Sequence, residues 1–333
     1  MSAQSERATI KDVARVAGVS ISSVSRALNG MTANQELVQK VIRAVAEVDY
    51  VPSILGQSLQ SQKTGQVALA VPDISNASYL DLFAVAQQAF REQNIRVTLI
   101  NTGGKTEEDI EVVRSLRQRF VDGLILVSIR PTAALVDEIE AAEVPIVLVG
   151  TFSGAVTFDL VSTDSFEAAK LGVEHLVSQG SVKLGLLGGP LDTVPGRARY
   201  EGFVEAATQS KLFRAENVSI LPDFRFDLGL IAARDLLKRG VDGILAETDH
   251  LAVAVLHAAR ELGLSVPLNV RVVGIDNSEA ARLALPPLTS VDLGSRERGR
   301  VAADYLLDRM KGSGLSAKAT LVRPRIVVRE SSS

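Results

Sequence analysis

Arg26 stands in the run Ile21-Ser22-Ser23-Val24-Ser25-Arg26-Ala27-Leu28. At helical spacing, Ile21, Ser22, Ser25, Arg26 and Asn29 fall on the side opposite Val24, Ala27 and Leu28. A guanidinium can pair two donors with a guanine edge, and an aliphatic side chain can meet a thymine methyl. The hydroxyls of Ser20, Ser23 and Ser25 suit phosphate oxygens, which position a protein without specifying sequence. That set of groups suits the reading of a nucleic-acid groove and not the making or breaking of bonds; the other reading of such a stretch is a helical hairpin that caps another domain.

Groups for covalent chemistry are harder to assemble. Gly104-Lys105-Thr106 imitates the end of a phosphate-binding loop, but Leu99 stands where the loop's first glycine belongs. Gly185-Leu186-Leu187-Gly188-Gly189 lacks dinucleotide-fingerprint spacing, and no Gly-x-Ser-x-Gly elbow is present. His175, His250 and His257 form no metal-ligand pair on neighbouring turns with an acidic partner, and the chain has no cysteine. Neither a catalytic centre nor a cofactor is expected.

The groove-reading face needs a partner helix to hold it. In Thr9 to Leu28, Ile10, Val13, Ala14 and Ala17 make one apolar face, and Val19, Val24, Ala27 and Leu28 answer it after a break at Gly18. Thr9, with Asp12 three residues on, can cap the first helix, and Ser20 the second. This is helix-turn-helix spacing, in which the second helix enters the major groove. A third helix from Asn34, with Leu37, Val38, Val41, Ile42, Val45 and Val48 on one face, completes a small module ending near Pro52. The segment 53–65 that follows is polar and glycine-punctuated, with Leu55 and Leu59 able to share a helical face.

From Val67 the pattern becomes strand and helix in alternation. Apolar runs at 67–71, 97–100, 123–127 and 145–149 are separated by helical stretches near 79–93, 107–120 and 132–143. The rhythm restarts after Asp164 with runs at 184–187, 218–221, 243–246 and 270–275, and helices near 165–179, 197–210, 229–239 and 249–263. Short β-branched runs that are apolar throughout are buried on both faces, so two doubly wound parallel sheets are expected behind an all-α head, an α/β protein overall. Such sheets bind ligands beyond the carboxyl ends of their strands, so two facing lobes would enclose a site.

Composition agrees. The 333 residues are 46% hydrophobic and 23% charged, enough for two or three domains. The net charge of −3 is uneven: residues 1–63 carry seven Lys and Arg against five Asp and Glu, a net of +2, leaving −5 for the rest. A weakly basic head on an acidic body needs two copies for useful affinity. No signal-like or membrane-length apolar run is present, so no membrane partner and a cytoplasmic location are expected. After Glu330 only Ser331-Ser332-Ser333 follow, with no leucine heptads for a tail-built tetramer.

The whole chain resembles the LacI/GalR family of transcriptional regulators. Ala8 to Gly30 resembles the family's DNA-reading signature, and Pro52-Ser53 with Gln57-Ser58-Leu59 its hinge. In the body the resemblance rests on segments such as Val71 to Asn76, Gly189-Pro190-Leu191, Arg199 with Gly202-Phe203, Thr248-Asp249, Val273 to Asn277 and Pro286 to Val291. It implies a homodimer that reads a palindromic operator, with Thr9, Ser20, Ile21, Ser22, Ser25, Arg26, Asn29 and Ser53 toward DNA and Leu59 wedging into the minor groove. The hinge departs from the family at Gly56 and Gln57, and a glycine costs a helix up to ~1 kcal/mol.

By the same resemblance, a small-molecule effector sits between the lobes against Ser78, Tyr79, Asp164, Thr193, Arg199, Phe224, Thr248 and Asp276. Flat faces from Tyr79 and Phe224, with hydrogen-bonding Asp164, Arg199 and Asp276, suit a sugar-like or nucleoside-like ligand. Asp249 is expected to cap its helix rather than bind ligand. The implied division is 1–52 for the head, 53–65 for the hinge, 66–164 with 293–324 for the first lobe, and 165–292 with 325–330 for the second. A solute-binding protein would share the body without the head, and a sugar-acting enzyme with an appended head would need a catalytic constellation.

Overall fold

A computed structural model describes residues 8–28, 32, 34–51, 63–312 and 316–333. Asn29, Ser53 and Leu59, and with them most of the expected hinge, lie outside the described residues. The chain divides into two compact units, Met1–Thr64 and Gly65–Ser333.

In the first unit, α1 (Ile10–Ala17), α2 (Ile21–Leu28) and α3 (Gln35–Glu47) pack around Val13, Val24 and Val41, all fully buried, with Ala14, Ala17, Ala27 and Ala44 between them. Small residues at these crossings allow the close helix approach a module of this size needs for its core. Each helix is started by local chemistry. The Asp12 carboxylate accepts from the Thr9 backbone N–H at 3.0 Å and hydroxyl at 2.8 Å. The Ser20 hydroxyl accepts from Ser23 N–H at 3.2 Å, and the Asn34 side chain from Leu37 N–H at 3.0 Å. Gly18 ends α1 at φ +61°, a left-handed conformation in which its N–H returns to the last turn. Ile42 departs from expectation: it lies outside the apolar face of α3 and is 49% exposed.

The second unit holds two six-stranded sheets. Sheet one contains β1 (Gln66–Val71), β2 (Arg96–Asn101), β3 (Leu124–Val127), β4 (Ile146–Val149), β5 (Asp159–Thr163) and β11 (Ala319–Val322), in the order β11-β5-β4-β3-β1-β2 and parallel throughout. Sheet two contains β6 (Leu184–Gly188), β7 (Val218–Ile220), β8 (Gly243–Ala246), β9 (Arg271–Ile275), β10 (Thr289–Asp292) and β12 (Arg325–Val327), in the order β12-β10-β9-β8-β6-β7. Only β12 runs antiparallel to its neighbour there. The central strands β3, β4 and β8 are buried along their whole length, as strands covered on both faces by helices must be.

The covering helices are α4 (Ala77–Glu92), α5 (Thr106–Ser115), α6 (Ala133–Glu140), α7 (Ser165–Ser178), α8 (Val194–Gln209), α9 (Phe226–Lys238), α10 (Asp249–Glu261), the short α11 (Glu279–Leu283) and α12 (Ser295–Met310). Helix α8 starts three residues before the sequence pattern places it, because Thr193 caps it and Pro195 fits its first turn. Gly202 lets α8 cross α7 closely: a Cβ there would lie 2.3 Å from the Phe166 carbonyl oxygen.

Helix α12 packs on sheet one although it follows β10 of sheet two. It is pinned at its far end by Arg309, whose guanidinium makes two 2.8 Å bonds to Asp159, a carboxylate 1% exposed at the start of β5. Asp159 also accepts from Lys318 N–H at 2.8 Å, so one buried anion joins β5, α12 and the approach to β11. The chain thus passes between sheets three times: after β5, after β10, and between β11 and β12. Ser331 and Ser332 are fully buried, with Ser331 receiving Val272 N–H and Ser332 facing His175 Nε2 at 2.8 Å.

Candidate functional site

In the first unit, α2 turns Val24 and Ala27 into the core, which leaves Ile21, Ser22 and Arg26 exposed and Ser25 half-buried. The sequence-expected reading face is therefore a continuous outer surface of α2. The Arg26 Nε donates to the Ser22 carbonyl at 3.4 Å, which lays the side chain back along its own helix. Ser20, at the helix start, shares its hydroxyl with Ser22 at 2.8 Å and Ser23 at 2.9 Å. Exposed hydroxyls at a helix N-terminus, where backbone N–H groups also point outward, are chemically suited to phosphate oxygens.

In the second unit, the segments after the carboxyl ends of β1, β5, β6, β7, β8 and β9 supply the other expected residues. In each sheet the strand order reverses beside its first strand, at β1/β3 and at β6/β8, the switch points where doubly wound folds open a crevice. The two sheets meet directly here. Arg130, after β3, makes a forked pair with Asp192, after β6, at 3.1 and 3.0 Å, and Val194 N–H donates to the Ile129 carbonyl at 2.9 Å.

Tyr79, at the start of α4, lies within electrostatic reach of Arg199 on α8 and Asp276 after β9, so the structure brings these three expected residues together from both sheets. Burial and the nearby Asp276 push the Tyr79 phenol up to about 12. Asp276 is 8% exposed with φ +125°, and Asn277 beside it has φ +54°: two successive non-glycine residues in strained backbone at a strand's end. Burial raises the Asp276 carboxyl to about 7, against the pull of Arg199 and Arg298. Arg199 is 7% exposed; its NH1 donates to the Glu247 carbonyl at 2.6 Å, and its Nε has no partner among the described residues.

The other expected residues serve the frame as well. Thr193 caps α8 by accepting from Gly196 N–H at 3.0 Å, Thr248 caps α10 through Leu251 N–H at 3.2 Å, and Asp164 caps α7 through Glu167 N–H at 2.9 Å. Ser78 is buried, its hydroxyl 2.6 Å from that of Ser295. Phe224 packs over Gly189 so closely that a Cβ there would fall 2.1 Å from the ring. Asp249 differs from expectation. Thr248 is the cap, whereas the Asp249 carboxylate accepts from Ser278 N–H at 2.7 Å, Ser278 hydroxyl at 2.8 Å and Ser290 hydroxyl at 2.5 Å, tying the start of α10 to the loop after β9 and to β10.

Two residues of this region escape a reading of the sequence. Glu247 is fully buried; one oxygen accepts from Gly189 N–H at 3.0 Å and the other has no partner among the described residues. Its place directly after the apolar run of β8 was a usable signal, because ligand crevices lie beyond strand carboxyl ends. Arg298 is 7% exposed on α12, with NH2 donating to Ser295 Oγ at 3.0 Å and Nε unpartnered among the described residues. Ser295-Arg296-Glu297-Arg298-Gly299-Arg300 reads as a solvated charged run, and no local feature singles out its second arginine.

Among the described residues no cluster of three or more His, Cys, Asp or Glu could hold a metal ion, and no helix is long and apolar enough to cross a membrane. The three histidines are accounted for structurally: His250 and His257 stand edge-on to Phe226, at 5.9 and 5.4 Å.

A groove-reading helix pair followed by a two-sheet body with a polar crevice defines a ligand-responsive DNA-binding protein. Comparison with known proteins narrows the class. The model for bacterial regulatory proteins of the lacI family matches residues 9–53, and that for the periplasmic binding protein-like domain matches residues 173–332. A ribose operon repressor of Halalkalibacterium halodurans is 30% identical over 97% of this chain and 96% of its own length. The HTH-type transcriptional repressor PurR of Vibrio atlanticus is 30% identical over 97% of this chain and 98% of its own. Among solved structures, the lac repressor dimer bound to operator and the anti-inducer ONPF aligns with a TM-score of 0.86 at 25% identity, covering 98% of this chain and 99% of that one. The chain belongs to the lacI family of bacterial regulatory proteins; it is a DNA-binding transcriptional regulator and not an enzyme.

Proposed function

We propose that two copies of this chain grip a symmetric operator through the outer face of α2, and that a small molecule held between the two sheets of the body alters that grip. Thr9, Ser20, Ile21, Ser22, Ser25 and Arg26 of each head, with Asn29, carry the DNA contacts, and Ser53 and Leu59 act in the hinge. Arg26 is the specifying residue, since it alone on that face can fork onto a guanine edge. The effector sits against Tyr79, Arg199, Phe224 and Asp276, with Ser78, Asp164, Thr193 and Thr248 at its margins. The domain limits are 1–52, 53–65, 66–164 with 293–324, and 165–292 with 325–330. The protein works in the cytoplasm, where its DNA is.

The observation that carries this reading is the meeting of Tyr79 from one sheet with Arg199 and Asp276 from the other, in a strained, buried crevice. A ligand bridging those groups would change the angle between the sheets. By linkage, a ligand that favours the DNA-competent arrangement binds more tightly when operator is present, and an inducer less tightly. Related proteins supply the ligand class: one solved structure aligning at 30% identity, 98% coverage and a TM-score of 0.71 is a complex of the regulator CelR with cellobiose. A sugar derivative fits the Tyr79 and Phe224 faces and the charged groups between them.

Gel shift against a palindrome library at two salt concentrations tests the first half. Specific, salt-sensitive retention is expected, and its absence at both concentrations, with and without ligand, refutes operator binding. For the second half, Arg199→Ala should abolish the ligand response and keep operator retention. Loss of both together would show a folding role instead.

A further inference from the structure

Resting on the reading of the crevice as the effector site, we infer that the effector carries an anionic group, a phosphate or a carboxylate, seated between Arg199 of α8 and Arg298 of α12. The two guanidiniums come from opposite sheets and lie within electrostatic reach of each other, of Tyr79 and of Asp276. Each is more than nine-tenths buried, and each has its Nε unpartnered among the described residues. Arginine does not lose its proton in proteins, so both remain cations at any working pH. Taking two like charges out of water without an anion between them is costly, and their forked donors match planar or tetrahedral oxyanions.

The acids nearby do not balance them. Asp249 is committed to Ser278 and Ser290, and Asp292 to Gly294, Asn277 and the exposed Arg325. Glu247 turns its carboxylate to Gly189 N–H, while Arg199 bonds only its backbone carbonyl. Asp276 is left as the one carboxyl shared by both arginines. Glu247 also acts on Arg199, and Asp292, already paired with Arg325, on Arg298, so the cleft is positive to the extent that Asp276 and Glu247 hold protons. Burial also raises both Asp276 and Glu247 to about 7, which weakens the negative side further near neutrality. Arg298 reaches the cleft on a hydroxyl relay, Ser78 to Ser295 to Arg298, that fixes its direction from the first sheet. A ligand that joins the two guanidiniums therefore joins the two sheets.

Titration calorimetry on the full chain at matched ionic strength, with orthophosphate, ribose 5-phosphate, ribonate and ribose as probes, tests this. At least one anionic probe is expected to bind, and ribose at least about tenfold more weakly. Binding by the two phosphates without ribonate identifies a phosphoryl group, and by ribonate alone a carboxylate. Arg298→Leu should weaken the anionic probe by about 10- to 100-fold, and Arg298→Lys should restore part of it. Calorimetric scans of the unliganded Arg298→Leu protein should show a midpoint equal to or above wild type, since a buried charge has been removed. A clearly lower midpoint would make Arg298 a structural residue and overturn the inference.

Ribose binding as tightly as its acidic forms, lost in Arg199→Ala but unchanged in Arg298→Leu, would sink the anion and leave the effector site standing. An anionic probe indifferent to both variants would sink both readings. Silence from all three anions at about 10 mM, where even a millimolar site is mostly filled, would also overturn the anion.

Discussion

Replacing Glu247 by Gln should reshape the pH dependence of the body's stability. The native carboxyl is wholly buried, with one oxygen on Gly189 N–H and the other unpartnered among the described residues. Burial raises it from 4.5 to about 7, despite the opposing effects of Arg199 and the Gly189 N–H. The folded state therefore holds a proton between pH 4.5 and 7 that the unfolded chain has already released. Stability from this group is complete below pH 4.5, declines as pH rises through that window, and is gone above about 7. A gap of that size corresponds to an upper bound on the order of 3 kcal/mol.

Glutamine is neutral throughout, keeps an acceptor for Gly189 and places an amide where the unpartnered oxygen was. The variant should match wild type near pH 5 and exceed it near pH 8, by several degrees in unfolding midpoint for a unit of this size. Differential scanning calorimetry at both pH values reads the difference directly. Asp249 and Asp276 are also raised by burial, so wild type itself should lose stability with rising pH, but they are common to both proteins and cancel in the comparison. Wild-type and variant midpoints falling in parallel across the range would refute the assignment of a buried proton to Glu247.

Other substitutions probe the frame and the reading face. Asn34→Ala removes the acceptor that caps α3 and should cost the head about 1 kcal/mol, read as a lower midpoint of the helical signal. Gly202→Ala drives a methyl into the Phe166 carbonyl and should destabilise the body by about 1–3 kcal/mol or prevent its accumulation; an unchanged midpoint would show that α7 and α8 can slide apart freely. Arg26→Ala should relax base preference at one operator position, at a cost of about 1–3 kcal/mol on the preferred base. Uniform weakening on every sequence would assign Arg26 to phosphate.

The head was the most legible part because its determinants are local. Thr9, Asp12, Gly18, Ser20 and Asn34 act within four residues of their own positions, and a period of 3.6 decides which side of α2 faces outward. The strands buried on both faces were legible for the same reason: β1, β3, β4, β6 and β8 are continuous apolar runs. Strands with mixed composition were not. Asp159–Thr163 and Thr289–Asp292 stand outside the apolar runs, and become strands because neighbours in space take up their backbone groups and because Arg309 pairs with Asp159.

The crevice divides along the same line. Asp276 and Thr248 are placed by the family resemblance, and their positions directly after the apolar runs of β9 and β8 agree with it. That Arg298 faces the crevice, and is not on the charged surface its neighbours suggest, depends on α12 crossing to sheet one and packing on α4, a partnership between residues more than two hundred positions apart. Burial of Glu247 likewise depends on residues far off in sequence: Gly189 N–H donates to it, and a Cβ at Gly188 would lie 3.0 Å from its Oε1. Periodicity and caps are written in neighbouring residues; the charge balance of a cleft is set by groups that only the packed chain brings within reach of one another.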